Sequence, residues 1–198
     1  FLDNTAGIKR KDVDNITFVS STTSKNGTEW DVSAQGDGSI LAWYQQTDSK
    51  SYKIYIGSDS EIFANTDSRY WFGSIGYSSL CTLPETITNI SLLNTSNVTY
   101  AWWMFGNTGR NAMKTLDLGS NFDTSNIYDM VAMFAGAGYN QMKTLNLGSK
   151  FNTSKVTSME AIFAHTGYMK MESLSLGDKF NTANVTNMKK MFYDTGYG

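Results

Sequence analysis

The chain has 198 residues, 40% of them hydrophobic, 14% aromatic and only 17% charged, with a formal net charge of -2. That is enough apolar material for a continuous core, while no run of like charge is longer than Lys9-Arg10-Lys11, too short for the phosphate-neutralising stripe that a nucleic-acid partner requires. No apolar stretch approaches the ~18 residues of a membrane span, so no membrane insertion is expected within this sequence. The single cysteine, Cys81, excludes an intramolecular disulfide and a cysteine-cluster metal site.

The opening residues, FLDNTAGIKRKD, lack the apolar core of a signal peptide. The chain begins at Phe1 and stops at Gly198 before completing its last repeat, which reads as a fragment of a longer protein. Residues 15–66 contain four strand-like runs, ITFVSS, TEWDVSA, SILAWYQQ and SYKIYIGS, punctuated by NG, GDG and TDS turns. A small antiparallel β-unit is therefore expected over residues 1–66, capping the first coil of a repeat array that starts at residue 67. GDGS at 36–39 and GSDSE at 57–61 carry oxygen ligands but not the spacing of a calcium loop, and read as turns. No metal or cofactor is expected.

From residue 67 onward the sequence repeats. TLDLGSNFDTSNIYDMVAMFAGAGY, TLNLGSKFNTSKVTSMEAIFAHTGY and SLSLGDKFNTANVTNMKKMFYDTGY succeed one another at a spacing of 29 residues. A period in this range means one supersecondary unit stacked on copies of itself, because a single unit cannot bury its apolar face alone. The units are a half repeat at 67–81 and repeats at 82–114, 115–143, 144–172 and 173–198, the first of them carrying four extra residues around Pro84. In Leu145-Asn146-Leu147 the apolar residues alternate, as in a short strand. Val156, Met159 and Phe163 fall at i, i+3 and i+7, as on one face of a short helix. Thr153-Ser154 stands where that helix would be capped and Gly167 where it would end. The fold expected is an α/β solenoid of strand-helix repeats. Strands about 4.8 Å apart on one side, with helices about 8–10 Å apart on the other, would curve it toward the strands.

The pattern LxLGxxFxTSxVTxMxxMFxxTGY, carried by FNTSKVTSM, FNTANVTNM and NTSNVT, resembles the repeat of the BspA-like leucine-rich-repeat surface proteins of bacteria. WDVSAQGDGSILAWY resembles the segment leading into such arrays, so the likeness covers about residues 28–198. It implies a cell-surface or secreted protein that adheres to an extracellular protein or glycan, without enzymatic activity. Pro84 with its insertion, and Tyr100-Ala101-Trp102-Trp103 in place of a more polar stretch, depart from the family pattern.

The positions that could carry such binding fall in three groups. Thr115, Asp117, Thr144 and Asn146, continued by Ser173 and Ser175, alternate outward from the strand leucines, offering a polar face or simply meeting solvent. Tyr139, Tyr168 and Tyr197, with Arg110 at the equivalent place one repeat earlier, come directly after the capping glycine. They either anchor a sugar or partner chain or pack back on the last helical turn. Trp102 and Trp103 stand where later repeats have Val131-Ala132, Glu160-Ala161 and Lys189-Lys190, so Trp102 is either an exposed aromatic or packed beneath the Pro84 insertion. The recurring Thr-Ser and Asn-Thr pairs read as caps and stacked hydrogen-bond ladders. His165 is the lone histidine and has no neighbouring nucleophile in the pattern, so catalysis is not expected.

Overall fold

The structure is a computed structural model that describes residues 7–23, 28–47 and 49–198. Asn26-Gly27 and Asp48, read as turn residues, lie outside the described residues. The four strand-like runs form β1 (Val13–Val19), β2 (Glu29–Asp31), β3 (Leu41–Gln46) and β4 (Tyr52–Gly57). Alternation sets their inner faces, with Ile16 and Phe18, Ala42, and Ile54 and Ile56 buried. β2–β3 and β3–β4, neighbours in the chain, pair antiparallel. β1, however, lies parallel to β4, and on its other side parallel to β6 (Ile87–Thr88). The five-stranded sheet, in the order β2-β3-β4-β1-β6, is therefore mixed rather than antiparallel. Pairing between strands far apart in the chain is not written in any turn residue, so the β1 contacts have no local signature.

The extra residues around Pro84 are what tie the repeats to this sheet. They carry β6, and buried polar groups of β1 hold the segment. Asp14 accepts hydrogen bonds from the N–H groups of Thr82 and Leu83 at 3.2 and 3.0 Å. Asn15 Nδ2 donates to the Glu85 carbonyl at 2.8 Å.

Beyond, β5 (Ile62–Phe63) pairs parallel with β7 (Leu93–Asn94). β8 (Thr115–Asp117), β9 (Thr144–Asn146) and β10 (Ser173–Ser175) form a second, parallel sheet in register. Single parallel bridges link Asp67, Tyr100, Asp129, Ser158 and Asn187 in series, 33 residues apart across the insertion and 29 apart thereafter.

The expected α/β strand-helix solenoid is overturned. The described residues contain no α-helix, only two three-residue 3₁₀ turns, Arg10–Asp12 and Ile90–Leu92. The molecule is built from small sheets of mixed topology joined by turns. Where a helix was expected after Val156, overlapping turns occur, and their N–H groups alternate in direction. Ile162, Ala164 and Thr166 donate three residues back, to Met159, Ala161 and Phe163 at 3.0–3.2 Å. Met159, Ala161, Phe163 and His165 donate instead to Asn187, Lys189, Met191 and Tyr193 of the next repeat at 2.8–3.0 Å. An α-helix would spend these donors within itself.

The sequence pattern misleads because left-handed residues recur every fourth position, at Ala161 and His165 with φ of 54° and 56°. That spacing brings Met159 and Phe163 to one side much as a helix would. Gly167 is left-handed, with φ of 54°, but it closes a turn run and caps no helix. Thr153 caps nothing either. Its buried hydroxyl donates to the Asn181 carbonyl at 2.7 Å and accepts from the Asn181 N–H at 2.6 Å. Thr95 and Thr124 make the same donation to Asp123 and Asn152, so the ladder half of that reading stands.

The interior is a column of parallel rings. Phe72, Phe105, Phe134, Phe163 and Phe192 stack face to face with centroids 5.0–5.6 Å apart. Phe18 of β1 closes the column edge-on against Phe72 at 6.2 Å. With turn runs hydrogen-bonded directly to one another, both sides of the repeats sit at strand-like spacing, and the reason for curvature toward the strands disappears.

Candidate ligand-binding surface

The parallel sheet places Thr115, Thr144 and Ser173 in one row and Asp117, Asn146 and Ser175 in another, with Leu116 and Leu145 buried between them. Thr115 and Asp117 are exposed, Thr144 and Asn146 half-buried. Two of these side chains are already engaged. Asp117 Oδ1 accepts from the Gly119 N–H at 2.8 Å and Asn146 Oδ1 from the Gly148 N–H at 3.0 Å. They shape turns, leaving this face few groups aimed outward.

Tyr139, Tyr168 and Tyr197 form a ladder. Tyr139 stacks on Tyr168 at 4.6 Å and 9°, and Tyr168 on Tyr197 at 5.5 Å and 22°. Arg110 continues it, its guanidinium 3.9 Å from the Tyr139 ring centre and 5.6 Å from that of Tyr77. Because the faces of Tyr139 and Tyr168 cover one another, they are not free to stack on a sugar. Burial of Tyr168, and after it the neighbouring Tyr139, pushes its phenol above the usual range. His165 lies beside the ladder, its Nδ1 3.7 Å from Asp194 Oδ2.

The two tryptophans part company. Trp103 is half-buried and left-handed, with φ of 54°. Its ring lies so close over Gly106 that a Cβ there would be 2.3 Å from Trp103 Cδ2. Trp102 is 36% exposed and meets the ring of Tyr70 edge-on at 5.0 Å, with Tyr70 itself 44% exposed. Next to it Tyr100 and Tyr128, both exposed, meet edge-on at 4.7 Å. Arg69 sits against the second pair. It lies 5.6 Å from the Tyr100 ring centre and hydrogen-bonds Asp67 through Nε and Nη2 at 2.8 and 2.5 Å. Those bonds hold the Asp67 carboxyl below its usual range. Edge-on contacts leave ring faces open, unlike the tyrosine ladder.

Tyr100 belongs to the Tyr100-Ala101-Trp102-Trp103 departure from the repeat pattern, whereas Tyr70 and Tyr128 are not among the sequence candidates, although a signal exists. Tyr100 stands where aligned repeats have Asp129, Ser158 and Asn187, and Tyr128 where they have Thr99, Thr157 and Thr186. Aromatic residues substituted into polar surface rows of only the first repeats mark the patch.

Two other features are accounted for locally. A cleft of about 330 Å³ between β5, β7 and the next repeats is lined by Glu61, Asn94, Asn121, Asp123 and Lys150. Asn94 Nδ2 donates to Glu61 at 2.6 Å and Asn121 Nδ2 to the Ser91 carbonyl at 3.0 Å. In the GDG loop, Asp31 accepts from Ser33 Oγ at 2.6 Å and from the Gly38 N–H at 2.9 Å, and the Ser33 bonds lower its carboxyl pKa.

No helix among the described residues is long and apolar enough to cross a membrane. No curated protein and no solved structure matches the chain. One protein-family model does, described as Mycoplasma protein of unknown function, DUF285, over residues 81–138 and again over 108–197. The starts of the two windows lie close to one repeat apart, as a repeating sequence requires. The match supports the sequence resemblance at this broader level and extends neither to BspA itself nor to a leucine-rich-repeat family. Together the windows run from 81 to 197, more than half of the chain, and the protein belongs to this DUF285 family.

Proposed function

We propose that the protein is a non-enzymatic extracellular binding module of a cell-surface protein, adhering to a host, matrix or partner-cell protein or glycan through the surface of its repeats. The observation that carries this reading is the exposed aromatic patch of Tyr70, Trp102, Tyr100 and Tyr128. Tyrosine and tryptophan anchor interfaces because they bring large contact area at little rotamer cost. The patch is confined to the first units. The row holding Trp102 continues as Val131, Glu160 and Lys189, so the surface changes chemistry along the repeats instead of staying uniform as a simple spacer would. The low share of charged residues and the many hydroxyl and amide side chains suit a weak, hydrogen-bonding partner.

The test is a binding screen of the purified chain against extracellular-matrix proteins and a glycan array, with Trp102→Ala alongside. Trp102 is partly exposed, so its truncation leaves the fold intact. A hit lost in the variant is the expected result. Silence on both panels would overturn the adhesion reading in favour of a spacer that lifts another domain from the cell.

A further inference from the structure

A common backbone code recurs at the junctions between repeats. The N–H groups of Ser68, Tyr70, Phe72 and Ser74 donate to carbonyls of Tyr100, Trp102, Met104 and Gly106 at 2.8–3.1 Å. Those of Ala101, Trp103, Phe105 and Asn107 donate to Asp129, Val131, Met133 and Ala135 over the same distances. Past the turn run the direction reverses. The glycine N–H and that of the residue two beyond it donate back to the preceding unit, as Gly167 does to Ala137 at 2.9 Å and Met169 to Tyr139 at 2.9 Å. In its complete form, as between residues 144–172 and 173–198, the downstream face presents four alternate donors and then two acceptors, and the upstream face presents the complement.

The two outer faces of the stack are treated differently. On the upstream side, the first unit's exposed code is answered by the N-terminal segment. Arg10 Nη1 donates to the carbonyls of Trp71 at 2.5 Å and Gly73 at 3.4 Å, and also to Tyr70 at 2.6 Å. The Val13 and Lys11 carbonyls accept from the N–H groups of Gly76 and Ser78 at 2.7 and 2.9 Å. An arginine, rich in donors and without acceptors, suits a row of carbonyls. On the downstream side, no carbonyl among the described residues accepts from the N–H groups of Met188, Lys190, Phe192 and Asp194. The ring of Phe192 is 45% exposed and Met188 49%, whereas Phe163 and Met159 at the equivalent positions are fully buried. Unpaired donors beside uncovered apolar side chains are a template for further pairing.

We propose that the face formed by residues 173–198 is a docking surface for a polypeptide unit of the same 29-residue pattern. Such a unit supplies four alternate carbonyls, then two N–H groups, and a phenylalanine to extend the ring column, as residues 173–198 already do for the unit before them. A second copy of this chain does not fit, because its own upstream face is occupied by Arg10, Lys11 and Val13. The inference is independent of the adhesion reading.

The experiment appends a duplicate of residues 170–197 directly after Gly198, which keeps the repeat in register. A control omits the first duplicated residue and so shifts the register by one. Amide exchange of Met188, Lys190, Phe192 and Asp194 is expected to slow by about tenfold or more in the in-register chain alone, with a higher melting temperature. Unchanged exchange in the in-register chain, or equal protection in the shifted control, would overturn the proposal. So would a dimer of the unextended chain in sedimentation with these amides already protected, since the face would then belong to a second copy.

Discussion

Phe163→Ala probes the ring column at a fully buried point. Phe163 is fully buried, sandwiched between Phe134 at 5.6 Å and Phe192 at 5.4 Å, with Phe180 tilted against it at 6.5 Å. Truncating a buried phenylalanine removes its transfer free energy and leaves a cavity, for roughly 3–5 kcal/mol in all. The upper part of that range is expected here because two stacked contacts, worth about 0.5–1.5 kcal/mol each, are lost together. At roughly 2–4 °C per kcal/mol for a chain of this size, the melting temperature falls by about 6–20 °C. Phe192→Ala is the internal reference. With one stacked neighbour and a ring nearly half exposed, it should cost roughly half as much. Urea denaturation monitored by near-ultraviolet circular dichroism gives both values, and amide exchange shows whether residues 173–198 lose protection before the rest. A loss below about 1 kcal/mol at Phe163, or equal losses at the two sites, would refute the claim that the column couples one repeat to the next.

Other perturbations separate backbone from side-chain causes. Gly106→Ala places a Cβ 2.3 Å from Trp103 Cδ2 and should cost roughly 1–3 kcal/mol by overpacking. The loss should largely vanish in a Trp103→Ala background, read as the coupling in a double-mutant cycle. Gly148→Ala meets the Gly119 carbonyl oxygen, whereas Gly38→Ala meets nothing within 4 Å, and both glycines are left-handed at φ of 77° and 73°. Thermal melts should show Gly38→Ala costing about 1 kcal/mol for strain alone and Gly148→Ala clearly more. Thr153→Val keeps shape but removes the bonds to the Asn181 carbonyl and N–H, and because Asn181 is exposed and water can replace the hydroxyl there, the cost should be about 0.5–1.5 kcal/mol on urea denaturation. Burial pushes the Cys81 thiol from 9.0 up to about 12, so the folded state holds a proton that the unfolded state releases. Its contribution is complete below about pH 9 and is lost as pH rises toward about 12, and alkylation of Cys81 at pH 8 should await unfolding.

The repeat, its 29-residue spacing and the four-residue insertion are legible because identical side chains recur at identical places, and the paired residues keep that spacing. So are the strands, since alternation of Leu116 with Thr115 and Asp117 needs no more than a two-residue period. Burial at Met159 and Phe163 is legible too, but the element bearing them is not. A spacing of four fits a helix and a run of overlapping turns equally well. One local clue does exist. Ser74, Asn107, Gly136, His165 and Asp194 share a row, and asparagine, aspartate, histidine and glycine are the residues that tolerate a left-handed backbone.

What the sequence determined by itself was periodic: which side chains stack, and how far apart along the chain. What only the tertiary structure decided was where the backbone donors go. An N–H group bonds within its own turn or to the next repeat according to what lies beside it. That choice turns expected helices into stacked turns and makes β1 parallel to β4. It also brings Tyr70, Tyr100, Trp102 and Tyr128 from three different units onto one surface.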